Sequence, residues 1–166
     1  MFRLGIVGHR YLRDDRTGAF ISHESSRILK KTQASHDEIV ALSAIAEGAD
    51  TLFAEAAIEL NIPLEIVRPF KSYPADFETT SSRSRYEKLR AAARKEVSLA
   101  FEHRSDLAYQ AAMDWIIAES NLLLVAWDGR PVISPVGTGA VVRQLELLKR
   151  PWVHLDVMNL CVRFAG

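Results

Sequence analysis

Leu122-Leu123-Leu124-Val125-Ala126-Trp127 is an unbroken apolar run, closed by the turn residues Asp128-Gly129-Arg130-Pro131. Continuous apolarity over that length describes a strand buried on both faces, as in a parallel sheet covered by two layers of helix. Working outward, the pattern recurs. Leu4-Gly5-Ile6-Val7 ends at Gly8-His9-Arg10, residues 39–45 are apolar except for Ser43, and residues 64–68 follow Asn61-Ile62-Pro63. Residues 97–101 read as a short edge strand and residues 151–155 as the last strand.

Between these runs the apolar period lengthens from two to between three and four, the spacing of one helix face. Leu52, Phe53, Ala56, Ala57 and Leu60 fall on such a face, and Pro63 ends the helix because proline cannot continue it. Further helices are expected over 22–32, 84–95, from Ser105 or Asp106 onward, and from Gly139 to about Lys149. Strand and helix alternate throughout. The expected class is therefore α/β, a Rossmann-like, mostly parallel sheet with helices on both faces, spanning residues 1–166 as one domain. The polar stretch 69–84 is long for such a fold and is expected to be a lid that orders on ligand binding.

The bulk numbers narrow the function. Lys plus Arg and Asp plus Glu both number 21, so the net charge is zero. That balance argues against nucleic acid as the partner, because phosphate backbones reward a basic excess. Cys161, the single cysteine, reads as a small buried apolar residue, and no disulfide can form within the chain. The first apolar run is too short for a signal peptide, and no stretch has the roughly 18 apolar residues of a membrane helix, so cytoplasm is the expectation. His9, His23, His36, His103 and His154 are scattered without metal-ligand spacing, and no metal or cofactor is implied.

In a parallel sheet, ligands gather outside the carboxyl ends of the strands. Four such junctions here carry glycine and polar residues. Gly8-His9-Arg10 offers close backbone approach and a guanidinium fork for phosphate, with His9 read as orienting the loop. Glu47-Gly48-Ala49-Asp50 places a helix N-terminus, attractive to anions, beside a carboxylate suited to ribose hydroxyls. At Trp127-Asp128-Gly129 an indole face and a carboxylate stand against the plainer reading of a tight turn with a core tryptophan. Gly137-Thr138-Gly139 opens a helix as a phosphate cradle, against an ordinary helix start with Thr138 as N-cap.

As a set, these residues resemble the SLOG superfamily, the Rossmann-like group that includes the Smf and LOG-type proteins. The likeness runs through Gly5-Ile6-Val7-Gly8-His9-Arg10, Ser43-Ala44-Ile45-Ala46-Glu47-Gly48-Ala49-Asp50, Val67-Arg68-Pro69-Phe70 with Tyr73 and Asp76-Phe77, Ala108–Ala112, Ser120–Gly129 and Gly137–Val142. It implies binding of nucleotides or nucleotide-derived signals. Gly8, His9 and Arg10 would form the floor, with Glu47, Gly48 and Ala49 at the second junction. Trp127, Asp128 and Gly129 would lie by the sugar, Gly137, Thr138 and Gly139 at the phosphate, and Tyr73 and Tyr109 over the base. It also implies a homo-oligomer. The LOG-type enzymes carry a glycine where Val136 stands and a catalytic glutamate where Val141 stands. Valine cannot move a proton. The expectation is thus a binding or sensing domain for a phosphate-bearing nucleotide, without LOG-type catalysis. The alternative is an N-glycosidase or deoxyribosyl-transferase drawing on Glu47, Asp50 or Asp128.

Overall fold

The computed structural model describes residues 1–130 and 136–165. Pro131 and Pro135, which belong to the expected turn and helix opening, lie outside them. In chain order the elements are β1 (Phe2–Gly8), α1 (Asp15–Ser35), β2 (Ile39–Ser43), α2 (Ala49–Glu59), β3 (Leu64–Arg68), a 3-10 turn (Tyr73–Asp76) and α3 (Thr80–Ala92). They continue with β4 (Lys95–Ser98), α4 (Asp106–Glu119), β5 (Leu122–Trp127), α5 (Thr138–Leu147), β6 (Trp152–Asp156) and β7 (Cys161–Ala165). The seven strands form one sheet in the order β4-β3-β2-β1-β5-β6-β7. All neighbours are parallel except β6 and β7, which run antiparallel. This is the α/β, Rossmann-like sheet expected from the apolar runs.

The two faces follow from the two-residue alternation of a strand. In β1, Leu4 and Ile6 enter the core under α1, α2 and α3, while Val7 turns to the core under α4 and α5. In β5, Leu124 and Ala126 face the first core and Leu123 and Val125 the second. Gly5 and Gly8 are close-packing positions. A Cβ on Gly5 would meet Ser120 Oγ at 2.3 Å, and one on Gly8 would meet the Ala49 Cβ at 2.5 Å.

Several elements differ from expectation. β2 stops at Ser43 because Ile45 takes a φ of +46, with the Ser43 hydroxyl accepting its N–H at 2.8 Å. α1 begins seven residues early, since the Asp14 carboxylate caps it through the Thr17 N–H at 2.8 Å. β7 escapes the apolar-run criterion because it is an edge strand with Arg163 and Phe164 exposed, and Cys161 there is only half-buried. The stretch 69–84 is anchored in its first half, where Phe70, Tyr73 and Phe77 interlock with Tyr86 edge-to-face and tilted at centroid distances of 4.7 to 5.6 Å, while residues 78–84 are largely exposed. Each of those rings is 1% exposed, which anchors the segment to the core. Among the described residues, no helix is long and apolar enough to cross a membrane.

Candidate functional site

The path of the chain across the sheet reverses at β1, whose two neighbours are β2 and β5. Such a reversal opens a crevice at the carboxyl edge. A cavity of about 250 Å³ lies there, between the ends of β1, β2 and β3 and the starts of α4 and α5. Val7, Ala44, Ala112, Met113 and Ile116 supply apolar wall; Arg10, Asp50, Tyr73, Arg104, Tyr109 and Thr138 supply polar groups. A wider depression of about 580 Å³ sits near Met1, Phe2, His36 and Asn121. It lies at the amino edge, where helices lead into strands, away from the carboxyl edge at which parallel sheets bind ligands, so the smaller cavity is the candidate.

Asp76, at the end of the 3-10 turn, organises the rim. Its carboxylate accepts from Arg10 at 2.8 Å, from Arg104 at 2.9 Å and from the Tyr109 hydroxyl. The Arg104 guanidinium also lies 5.8 Å from the Tyr109 ring centroid. Burial would raise the Asp76 carboxyl, but the hydrogen bonds from Tyr109 and Arg10 outweigh it and hold it below the usual range. Two guanidiniums therefore share one carboxylate, and one positive charge is left over beside the cavity while the Asp50 carboxyl on its wall stays protonated below about pH 7. In the sequence Asp76 enters only as part of the Asp76-Phe77 motif and Arg104 does not enter at all, because Asp76 is 66 residues from Arg10 and 28 from Arg104.

Across the cavity, α5 starts at Gly137 without any side-chain cap, and Thr138, its first residue, is buried against the cavity. An uncapped helix start of this kind holds anions through its N–H groups and dipole. Thr138 is thus not the N-cap; Gly137 is. The start of α2 is different. The Ala49 N–H donates to the His9 carbonyl at 3.2 Å, and a Cβ on Gly48 would stand 2.3 and 2.4 Å from the Arg10 and His9 carbonyl oxygens. The β1 exit loop covers the Ala49 N–H at that helix end, and neither Gly48 nor Ala49 lines the cavity.

Asp50 is the one carboxylate of the three candidates that lines the cavity. Burial pushes it up to about 7, against the backbone amides of Ala46, Ala44 and Gly8 and the charge of Arg10, which pull it down. Glu47 does not line the cavity. Asp128 instead shapes its own turn, accepting from the Arg130 N–H at 3.1 Å, and with His9 it lines a separate depression. His9 accepts the Asp128 N–H on Nε2 at 3.1 Å and so clasps β1 to β5, orienting the loop. Trp127 packs against the second core and tilts over His154 at 5.4 Å, away from the cavity, and neither Gly129 nor Gly139 lines it. Gly8, Arg10, Tyr73, Tyr109, Gly137 and Thr138 do share it.

The fold recurs in solved structures. An X-ray structure of DNA processing protein A (DprA) from Streptococcus pneumoniae matches 93% of this chain with a TM-score of 0.67, at 14% sequence identity. The chain has the DprA fold. A second DprA structure, from Helicobacter pylori and described for its single-stranded DNA binding mode, matches 92% of the chain with a TM-score of 0.60 at 18% identity. The chain spans 50% and 64% of those two proteins. No family model and no curated protein matches the sequence.

The DprA fold corrects one expectation. Neutral charge argued against nucleic acid, yet the Helicobacter pylori protein of this fold is described as binding single-stranded DNA. Net charge is a sum over the whole surface and places no limit on a local cluster such as Arg10 with Arg104.

Proposed function

We propose that the carboxyl-edge cavity binds one phosphate-bearing nucleotide unit, with Arg10, Arg104 and the start of α5 holding the phosphate. The observation that carries this reading is the shared Asp76: two guanidiniums on one carboxylate, with the buried Asp50 carboxyl protonated below about pH 7, leave an excess positive charge facing an uncapped helix N-terminus. Arg in a fixed fork is suited to phosphate oxygens. At about 250 Å³ the cavity lies just below the usual range for small-molecule pockets, which suits a single nucleotide unit.

A free mononucleotide and one unit of a single strand present the same chemistry to these groups. The DprA fold supports the single strand as the source. Glycosidic cleavage finds less support: it usually draws on two carboxylates flanking the bond, and Asp50 is the lone carboxylate among the described cavity residues. Val141, in place of the LOG-type acid, is 1% exposed within the second core.

Titration calorimetry with AMP and with a single-stranded oligodeoxynucleotide, each at two salt concentrations, tests the reading and separates the sources. Arg10→Ala and Arg104→Ala are each expected to weaken the bound ligand by roughly tenfold. Failure of both ligands to bind, or arginine variants indistinguishable from the wild type, would overturn it.

A further inference from the structure

Tyr73 is 1% exposed, and its hydroxyl has no hydrogen-bond partner among the described residues. A buried hydroxyl left unpaired costs on the order of 1–3 kcal/mol, so its persistence calls for a partner that binds from outside the chain. Tyr86 has an unpartnered hydroxyl too, but Tyr73 is the one that lines the cavity. From the phosphate reading above, we infer that Tyr73 is the recognition group for an uncharged, planar, hydrogen-bonding head group: the nucleobase of the bound unit.

Three features specify that chemistry. Burial pushes the Tyr73 phenol well above its ordinary value, so the hydroxyl stays protonated and serves as both donor and acceptor. The cavity it lines has apolar wall from Val7, Ala44, Ala112, Met113 and Ile116, which shelters a flat apolar ring, while Asp50 and Arg10 act on the Tyr73 phenol from nearby. The cationic groups, Arg10 and Arg104, are already committed to the rim through Asp76. One ligand thus meets two unlike ends: phosphate at the rim, base edge at the hydroxyl. Phe70 meets both the Tyr73 and Tyr109 rings edge-to-face, which fixes the tyrosine in place before any ligand arrives.

The test pairs each base-bearing probe with its base-less counterpart: AMP with ribose 5-phosphate, and a single-stranded oligodeoxynucleotide with the same strand carrying abasic sites. At least one base-bearing probe is expected to bind roughly tenfold tighter than its counterpart, and Tyr73→Phe should erase that difference while leaving the base-less probe unchanged. Because the hydroxyl has no partner among the described residues, Tyr73→Phe should unfold no earlier than the wild type. Ala112→Leu, which narrows the apolar wall, provides a second variant and should cut base-bearing affinity in the same way. Equal binding of the paired probes, or a base preference that survives Tyr73→Phe, overturns this inference and leaves the phosphate reading intact. Binding of none of the four overturns both.

Discussion

Gly48→Ala probes how tightly the β1 exit is seated on α2. Gly48 has φ +83 and ψ −126, a region that residues with a Cβ scarcely enter. Forcing an alanine into it costs about 1–3 kcal/mol. The added Cβ would also stand 2.3 Å from the Arg10 carbonyl oxygen and 2.4 Å from that of His9. Both are backbone atoms, and the His9 carbonyl already accepts the Ala49 N–H, so relief requires moving the loop. Overpacking of that kind adds about 1–3 kcal/mol. A total near 4 kcal/mol corresponds to a fall in Tm of about 8–16 °C for a chain of this size. Urea unfolding followed by tryptophan fluorescence measures it. Gly129→Ala is the control: its φ is +77, but among the described residues nothing lies within 4 Å of the added Cβ, so only the backbone cost of about 1–2 kcal/mol remains. If Gly48→Ala loses no more stability than Gly129→Ala, the close approach of the β1 loop to α2 is refuted.

Asp76→Asn should lose on the order of 2 kcal/mol at neutral pH. The Asp76 carboxyl is lowered in the folded state, so its contribution is present above the ordinary carboxylate range and fades as pH falls through the folded value; the gap in urea midpoint between variant and wild type should be narrower at pH 3 than at pH 7. Asp50 runs the other way. Its folded value of about 7 exceeds the unfolded one near ~4, so wild-type stability falls as pH rises through that window, by up to about 4 kcal/mol. Asp50→Asn lacks this titration, and parallel pH profiles of variant and wild type between pH 5 and pH 8 would contradict it. Val141→Glu restores the LOG-type acid only in name: at 1% exposure it should cost about 3 kcal/mol or more, and free adenine should not appear from AMP.

The strands were legible because burial on both faces leaves a contiguous apolar signature, as in Leu122–Trp127 and Leu64–Arg68. β7 was not, since an edge strand with Arg163 and Phe164 in solvent has no such signature. The site divides along the same line. Arg10, Tyr73, Gly137 and Thr138 could be read from their junctions and from the SLOG resemblance. Asp76 had been visible only as part of a motif, and Arg104 not at all, because a carboxylate shared across 66 residues leaves no local pattern. Gly48 and Ala49 illustrate the opposite failure. A bare helix start looks the same in sequence whether a ligand or a main-chain carbonyl covers it.

The Asp76 knot joins the β1 exit, the turn after β3 and the first turn of α4, segments that meet only once most of the sheet is in place. Ligand capture should therefore lag secondary-structure formation during refolding and report on the final consolidation of the molecule. A partly assembled chain would present its arginines separately and unaligned, giving weak, salt-sensitive attraction in place of a defined pocket.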